Sequence, residues 1–176
     1  MITYADLNRR SCYIYTYTMI NFVEQWIKKR IISHYGSGRR LNPNWMESLK
    51  LKETRHKNKA TGKKITRWDV LDAALRSGDG PLGLTYFDDL MHVLEYDTAM
   101  ALDRQELSSQ VRETSIDLRL KVAHPVKLLL PRSDDPSELR RLRDFWQFMI
   151  PFIQRNDFND KNGRWPNEPP SQSRTS

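Results

Sequence analysis

The chain has one cysteine, Cys12, in 176 residues. A single thiol excludes an intrachain disulfide and a thiolate-rich zinc site. Cys12 reads as a small half-buried residue, because the nearest histidine, His34, is remote in sequence. The histidines His34, His56, His92 and His124 are scattered, none at ligand spacing from another, so neither a metal nor a cofactor is expected. Long apolar runs are also missing. The longest cluster, 148–153, contains Pro151 and falls far short of the roughly 20 residues that a spanning helix needs. Asp6, Arg9 and Arg10 interrupt any leader-like stretch at the start. The expectation is a soluble or peripheral protein of a reducing compartment, cytoplasm or nucleus. Recognition signatures are missing too, with no RNP, KH, zinc-finger or helix-turn-helix pattern and no nucleophile elbow.

What is present is charge, unevenly spread. Residues 1–67 carry 15 Lys and Arg against 4 Asp and Glu; residues 68–176 carry 14 against 18. A front this basic calls for an anionic partner. The acidic stretch 68–113 would fold back on that front or meet the basic surface of another copy. The expected organisation is one domain over 1–156, basic over 1–67 and acidic to neutral over 68–156. A tail, 157–176, rich in Asn, Pro, Ser and Arg, reads as disordered.

The expected fold class is α+β, mostly helical. Tyr13, Tyr15 and Tyr17 alternate with Cys12, Ile14 and Thr16, which predicts a strand over 11–18. Met19 offers an alternative start that would make 1–18 an extension. Ile20, Val23, Ile27 and Ile31 predict a helix over 20–34. Asn42-Pro43-Asn44 offers another helix start, with Trp45, Met46 and Leu49 as its apolar side. Residues 50–67 read as a basic loop. Thr66 with Asp69 forms a capping-box pattern and opens a helix over 66–77. Thr85 with Asp88 repeats it for 85–96. A helix over 103–113 follows. Ile116, Leu118, Leu120 and Val122 alternate with charged residues and predict a strand over 115–123, continued over 126–130. Asp135-Pro136-Ser137-Glu138 opens a last helix, 136–153, which Pro151 should kink or end near Met149.

The main candidate site is the basic front. Lys28, Lys29, Arg30, Arg39, Arg40, Lys50, Lys52, Arg55, Lys57, Lys59, Lys63, Lys64 and Arg67 would line one anion-binding surface. Trp26, Tyr35, Trp45 and Trp68 are interleaved with them and are candidates for stacking on unpaired bases. The plain alternative makes these rings core and the lysines a solvated loop. Phe145, Trp146, Met149 and Phe152 form a candidate protein interface on the last helix, or else its core face. Gly78, Gly80 and Gly83 spell G-x-G-x-x-G, but a helix enters it and Asp79 would repel a phosphate, so it reads as a helix cap and turn. Gly36-Ser37-Gly38-Arg39-Arg40 reads as a helix stop or an anion nest.

The expected role is a non-enzymatic basic protein that binds RNA or DNA, RNA favoured, by its backbone with little sequence preference. One alternative is an assembly or adaptor protein, matrix-like or accessory-like as in viruses, that self-associates and meets partner proteins or an anionic membrane. In that reading the 20–34 helix lies on the membrane with Trp26. The other alternative is an enzyme whose site gathers His92 or His124 with two acids.

Overall fold

A computed structural model describes residues 4–36, 41–107, 109–123 and 136–156. The mostly helical α+β class holds, with one small antiparallel sheet among the described residues. The tail 157–176 and the 126–130 strand lie outside them.

Helix α1 runs Tyr4–Tyr35. It absorbs the predicted 20–34 helix and overturns the 11–18 strand. A strand needs a neighbour, and the expected neighbour at 115–123 is helical. A helix, once nucleated, extends by one hydrogen bond per added residue. Thr16, Ile20, Val23, Ile27 and Ile31 then fall on one buried face. The tyrosine alternation is incidental, since Tyr15 and Tyr17 stay exposed. Thr16 accepts a hydrogen bond from the Trp146 indole at 3.0 Å, so this stretch is part of the fold.

A 3-10 helix, Pro43–Leu51, follows, capped by the Asn42 side chain. It buries Trp45, Met46 and Leu49 completely. Next comes a hairpin, β1 Glu53–Lys57 and β2 Lys64–Thr66. Helix α2 is Arg67–Arg76, opened by the expected capping box of Thr66 and Asp69. Gly78, at φ +88°, ends it as the glycine its left-handed backbone favours. The G-x-G-x-x-G stretch is therefore a cap followed by a 3-10 turn, Pro81–Leu84. Helix α3 is Phe87–Tyr96, α4 is Ala101–Glu106 and α5 is Ser109–Ala123.

Helix α5 overturns the 115–123 strand and splits the expected 103–113 helix. Its buried face is Val111, Thr114, Ser115 and Leu118, at i, i+3, i+4 and i+7. Two of those four are small and polar, so the helical stripe does not register as apolar. The alternating Ile116 and Leu118 dominate the pattern instead.

Helix α6, Pro136–Asn156, runs through Pro151. The sequence predicted a kink or an end there. Pro151 and Gln147 both face solvent, so water can satisfy the carbonyl that the missing N–H abandons. Thr16 meets Trp146 and Trp26 meets Asn156 at the same sequence separation, 130, so α1 and α6 run parallel. Arg30 reaches Asp103 and Glu106, while Arg119 lies over Tyr17, so α4 and α5 run back along α1.

The core is apolar and aromatic. Trp26 packs edge-on against Phe152 at 5.2 Å, and Phe22 does so at 6.2 Å. Phe145, Met149 and Phe152 are buried and Trp146 is half-buried, so this face of α6 is core. That corrects its reading as a protein interface. Trp26→Ala should cost about 3–5 kcal/mol of stability in urea unfolding. A loss under about 1 kcal/mol would contradict this core.

Candidate functional site

The stretch expected to be a loop, 50–67, is built around the hairpin. Its strands pair Glu53 with Thr66 and Lys57 with Lys64, with a register irregularity between. The turn makes the hairpin, since only Ile65 supplies apolar burial. The Asn58 carboxamide oxygen accepts the N–H groups of Ala60 and Thr61. The Asn58 N–H donates to the Lys63 carbonyl at 2.7 Å. Gly62 adopts φ +67° and donates back to the Asn58 carbonyl. An Asx turn closed by a glycine is a readable signal. The density of lysines conceals it.

The foot of the hairpin is fixed to α3. Lys52, just before β1, contacts Asp89 at 3.0 Å and Asp88 at 2.7 Å. Arg67, just after β2, donates to Asp89 through Nε at 3.0 Å and Nη2 at 2.7 Å. Asp89 also accepts the Tyr86 N–H at 2.9 Å, capping α3. The cap position is thus Tyr86 and not Thr85, whose hydroxyl instead donates to the Leu82 carbonyl. Burial pushes the Asp89 carboxyl up. The Arg67 hydrogen bond, the Tyr86 N–H and Lys52 together outweigh it and hold the group below its ordinary 3.8.

The predicted cationic surface divides accordingly. Lys28 pairs with Glu24, Arg30 with Asp103 and Glu106, and Lys50 with Glu47. Lys52 and Arg67 hold Asp89, and Lys64 pairs with Glu53. Lys29 is half-buried on α1. Arg39, Arg40 and the Arg55 side chain lie outside the description. Lys57, Lys59 and Lys63 are different. They stand exposed around the hairpin turn, and none makes an ion pair with a described carboxylate. The single surface expected over 28–67 is therefore corrected to a hairpin tip above an internally neutralised foot.

The stacking candidates divide too. Trp26 and Trp45 are 0% exposed and offer no face to a base, which corrects that reading for both. Tyr35 is half-buried, and its hydroxyl donates to both Asp97 oxygens. Desolvation and that carboxylate push its pKa up to about 12. Trp68 is half-buried with Lys50 5.1 Å over its ring. Sequence reasoning missed Tyr86, which is 68% exposed and has the Arg67 guanidinium 4.6 Å over one face. Reading Thr85 as the cap had placed it inside the helix.

The other chemistry-bearing groups make internal contacts. His34 meets Asp103 at 2.6 Å beside Arg30. His92 contacts the Ser48 carbonyl and lies tilted against Tyr96, 4.5 Å between ring centroids. His124 lies outside the described residues. Among those described, no three His, Cys, Asp or Glu side chains gather to hold a metal ion, and no helix is long and apolar enough to cross a membrane. Trp26, which the alternative reading lays on a membrane, is buried in the core. No protein-family model, curated protein or solved structure matches this chain.

Asp89→Asn keeps the shape and removes the charge, leaving Lys52 with Asp88 and Arg67 without its carboxylate. It should cost about 3 kcal/mol at neutral pH, measured by denaturant unfolding. The folded carboxyl titrates below its unfolded value, so its contribution is present above the ordinary 3.8 and lost as pH falls through the folded value. The variant should therefore lose less stability than the parent between about pH 5 and pH 2. Parallel acid curves would contradict the clamp.

Proposed function

We propose that this chain is a non-enzymatic nucleic-acid-binding protein that grips the phosphate backbone, RNA in the first instance, through the hairpin 53–66. The supporting observation is the trio Lys57, Lys59 and Lys63, exposed around one turn and making no ion pair with a described carboxylate. The hairpin carries five Lys and Arg against Glu53 alone. Closely spaced phosphates attract such a cluster, and binding releases the counterions condensed on them. An ammonium is a hydrated point charge without the planar fork that reads a base edge. The grip therefore carries little sequence preference.

The acidic half of the chain favours this reading over assembly through complementary charge. Asp88, Asp89, Asp103 and Glu106 already face the molecule's own cations. Asp89 and Asp103 are buried in those pairs and offer no surface to a second copy.

The test is anisotropy of a short labelled single-stranded RNA. Three lysine contacts predict a log–log salt slope of about −2, at about −0.7 per phosphate neutralised. Charge reversal of Lys57, Lys59 and Lys63 together should abolish binding while the circular dichroism stays unchanged. Lys64 is left in place because it holds Glu53. Salt-independent binding, or binding that survives the reversal, contradicts the proposal.

A further inference from the structure

We propose that Tyr86 is a base-stacking platform at the foot of the hairpin, which makes the polyanion a single strand with unpaired bases. This rests on the hairpin reading above and adds a residue and a ligand form to it.

Tyr86 breaks a local rule. It occupies the N-cap of α3, where Ser, Thr, Asp or Asn would stabilise the helix by about 1 kcal/mol, and its side chain supplies no capping bond. Thr85, one residue earlier, would be the ordinary choice. A large ring at this position, 68% exposed, makes no capping bond to the helix it begins. Local rules are broken where function requires it.

The ring is also held in place. Arg67 lies over one face, and Arg67 is itself fixed by two hydrogen bonds to Asp89 and one to the Leu84 carbonyl. The Tyr86 N–H is bound by the same Asp89 carboxylate. The ring therefore loses little freedom on binding, and a base can cover it at low entropic cost. Leu51 and Leu84, neighbours in sequence of the foot, are exposed as well. Leu84 is tied to the foot by its carbonyl, which accepts from Arg67.

The placement fits one strand. Arg67 directly follows β2, and Lys64 lies three residues before it, roughly 10 Å at the strand rise of about 3.3 Å per residue. Lys57 pairs across from Lys64. A backbone running down the hairpin meets the tip lysines first and reaches Tyr86 within a few nucleotides. In a duplex the base faces cover one another, and the ring would have nothing to stack on away from the ends. In a single strand every base has a free face, and stacking on an aromatic side chain adds to the phosphate contacts without selecting a sequence.

The experiment measures affinity for a single-stranded RNA and for an abasic strand of the same length, using the full chain. Tyr86→Ala should weaken binding to the base-bearing strand about tenfold or more and leave the abasic strand's affinity as in the parent. Tyr86→Trp should bind the base-bearing strand at least as tightly as the parent, which guards against a misfolded alanine variant. A blunt duplex should bind more weakly than the single strand. Equal losses on both strands, or no loss on either, overturn the platform. So does a duplex bound as tightly as the single strand. If the triple lysine reversal loses both strands while Tyr86→Ala loses neither, the hairpin grip stands and the platform falls. If the lysine reversal keeps both, the grip and the platform fall together.

Discussion

The Asp89 carboxylate is the constraint on which the rest of this structure depends. It is nearly buried, which is costly for a charge unless cations and N–H groups replace the lost water. Lys52, Arg67 and the Tyr86 N–H do so together. Lys52 precedes the hairpin and Arg67 follows it. One carboxylate therefore anchors both ends of the hairpin to the start of α3, and it aligns the first turn of that helix in the same act. Breaking any one partner strands the others in a poorly solvated place.

This anchoring changes what the uneven charge of the sequence means. Part of the acidic half is a counterpart to the basic half inside one molecule. Asp103 and Glu106 hold Arg30, and Asp88 and Asp89 hold Lys52. Apolar packing sets the helix arrangement, through Trp26, Phe152 and the isoleucines of α1. The ion pairs then decide which cations are left for a partner. Those at the hairpin tip remain outward-facing, while those at its foot stiffen the base from which the tip projects.

Much of this was legible from residue order. The 3.6-residue spacing of Ile20, Val23, Ile27 and Ile31 gave the face of α1, and Thr66 with Asp69 gave the start of α2. The fold-back of acid on base was legible as one of two options. Three features were hidden for physical reasons. The tyrosine alternation of 11–18 mimics a strand, because period alone cannot say whether a pairing partner exists. The buried face of α5 includes Thr114 and Ser115, which hydropathy does not register. The hairpin is specified by Asn58 and Gly62 and not by an apolar face, so its lysines read as loop. The site followed the same division. The tip lysines were named within a larger set, but the neutralisation of Arg30, Lys52 and Arg67 depends on contacts with residues more than twenty positions away. Tyr86 was invisible because its meaning comes from Arg67 lying on it.

The hairpin grip is tested most sharply by the acetylation rate of each lysine, read by mass spectrometry on the full chain with and without a single-stranded RNA. Lys57, Lys59 and Lys63 should react fast in the free protein and become protected when RNA is added, while Lys52 should react slowly in both. Lys52 reacting as fast as the tip lysines, or tip lysines that RNA leaves unprotected, would contradict it.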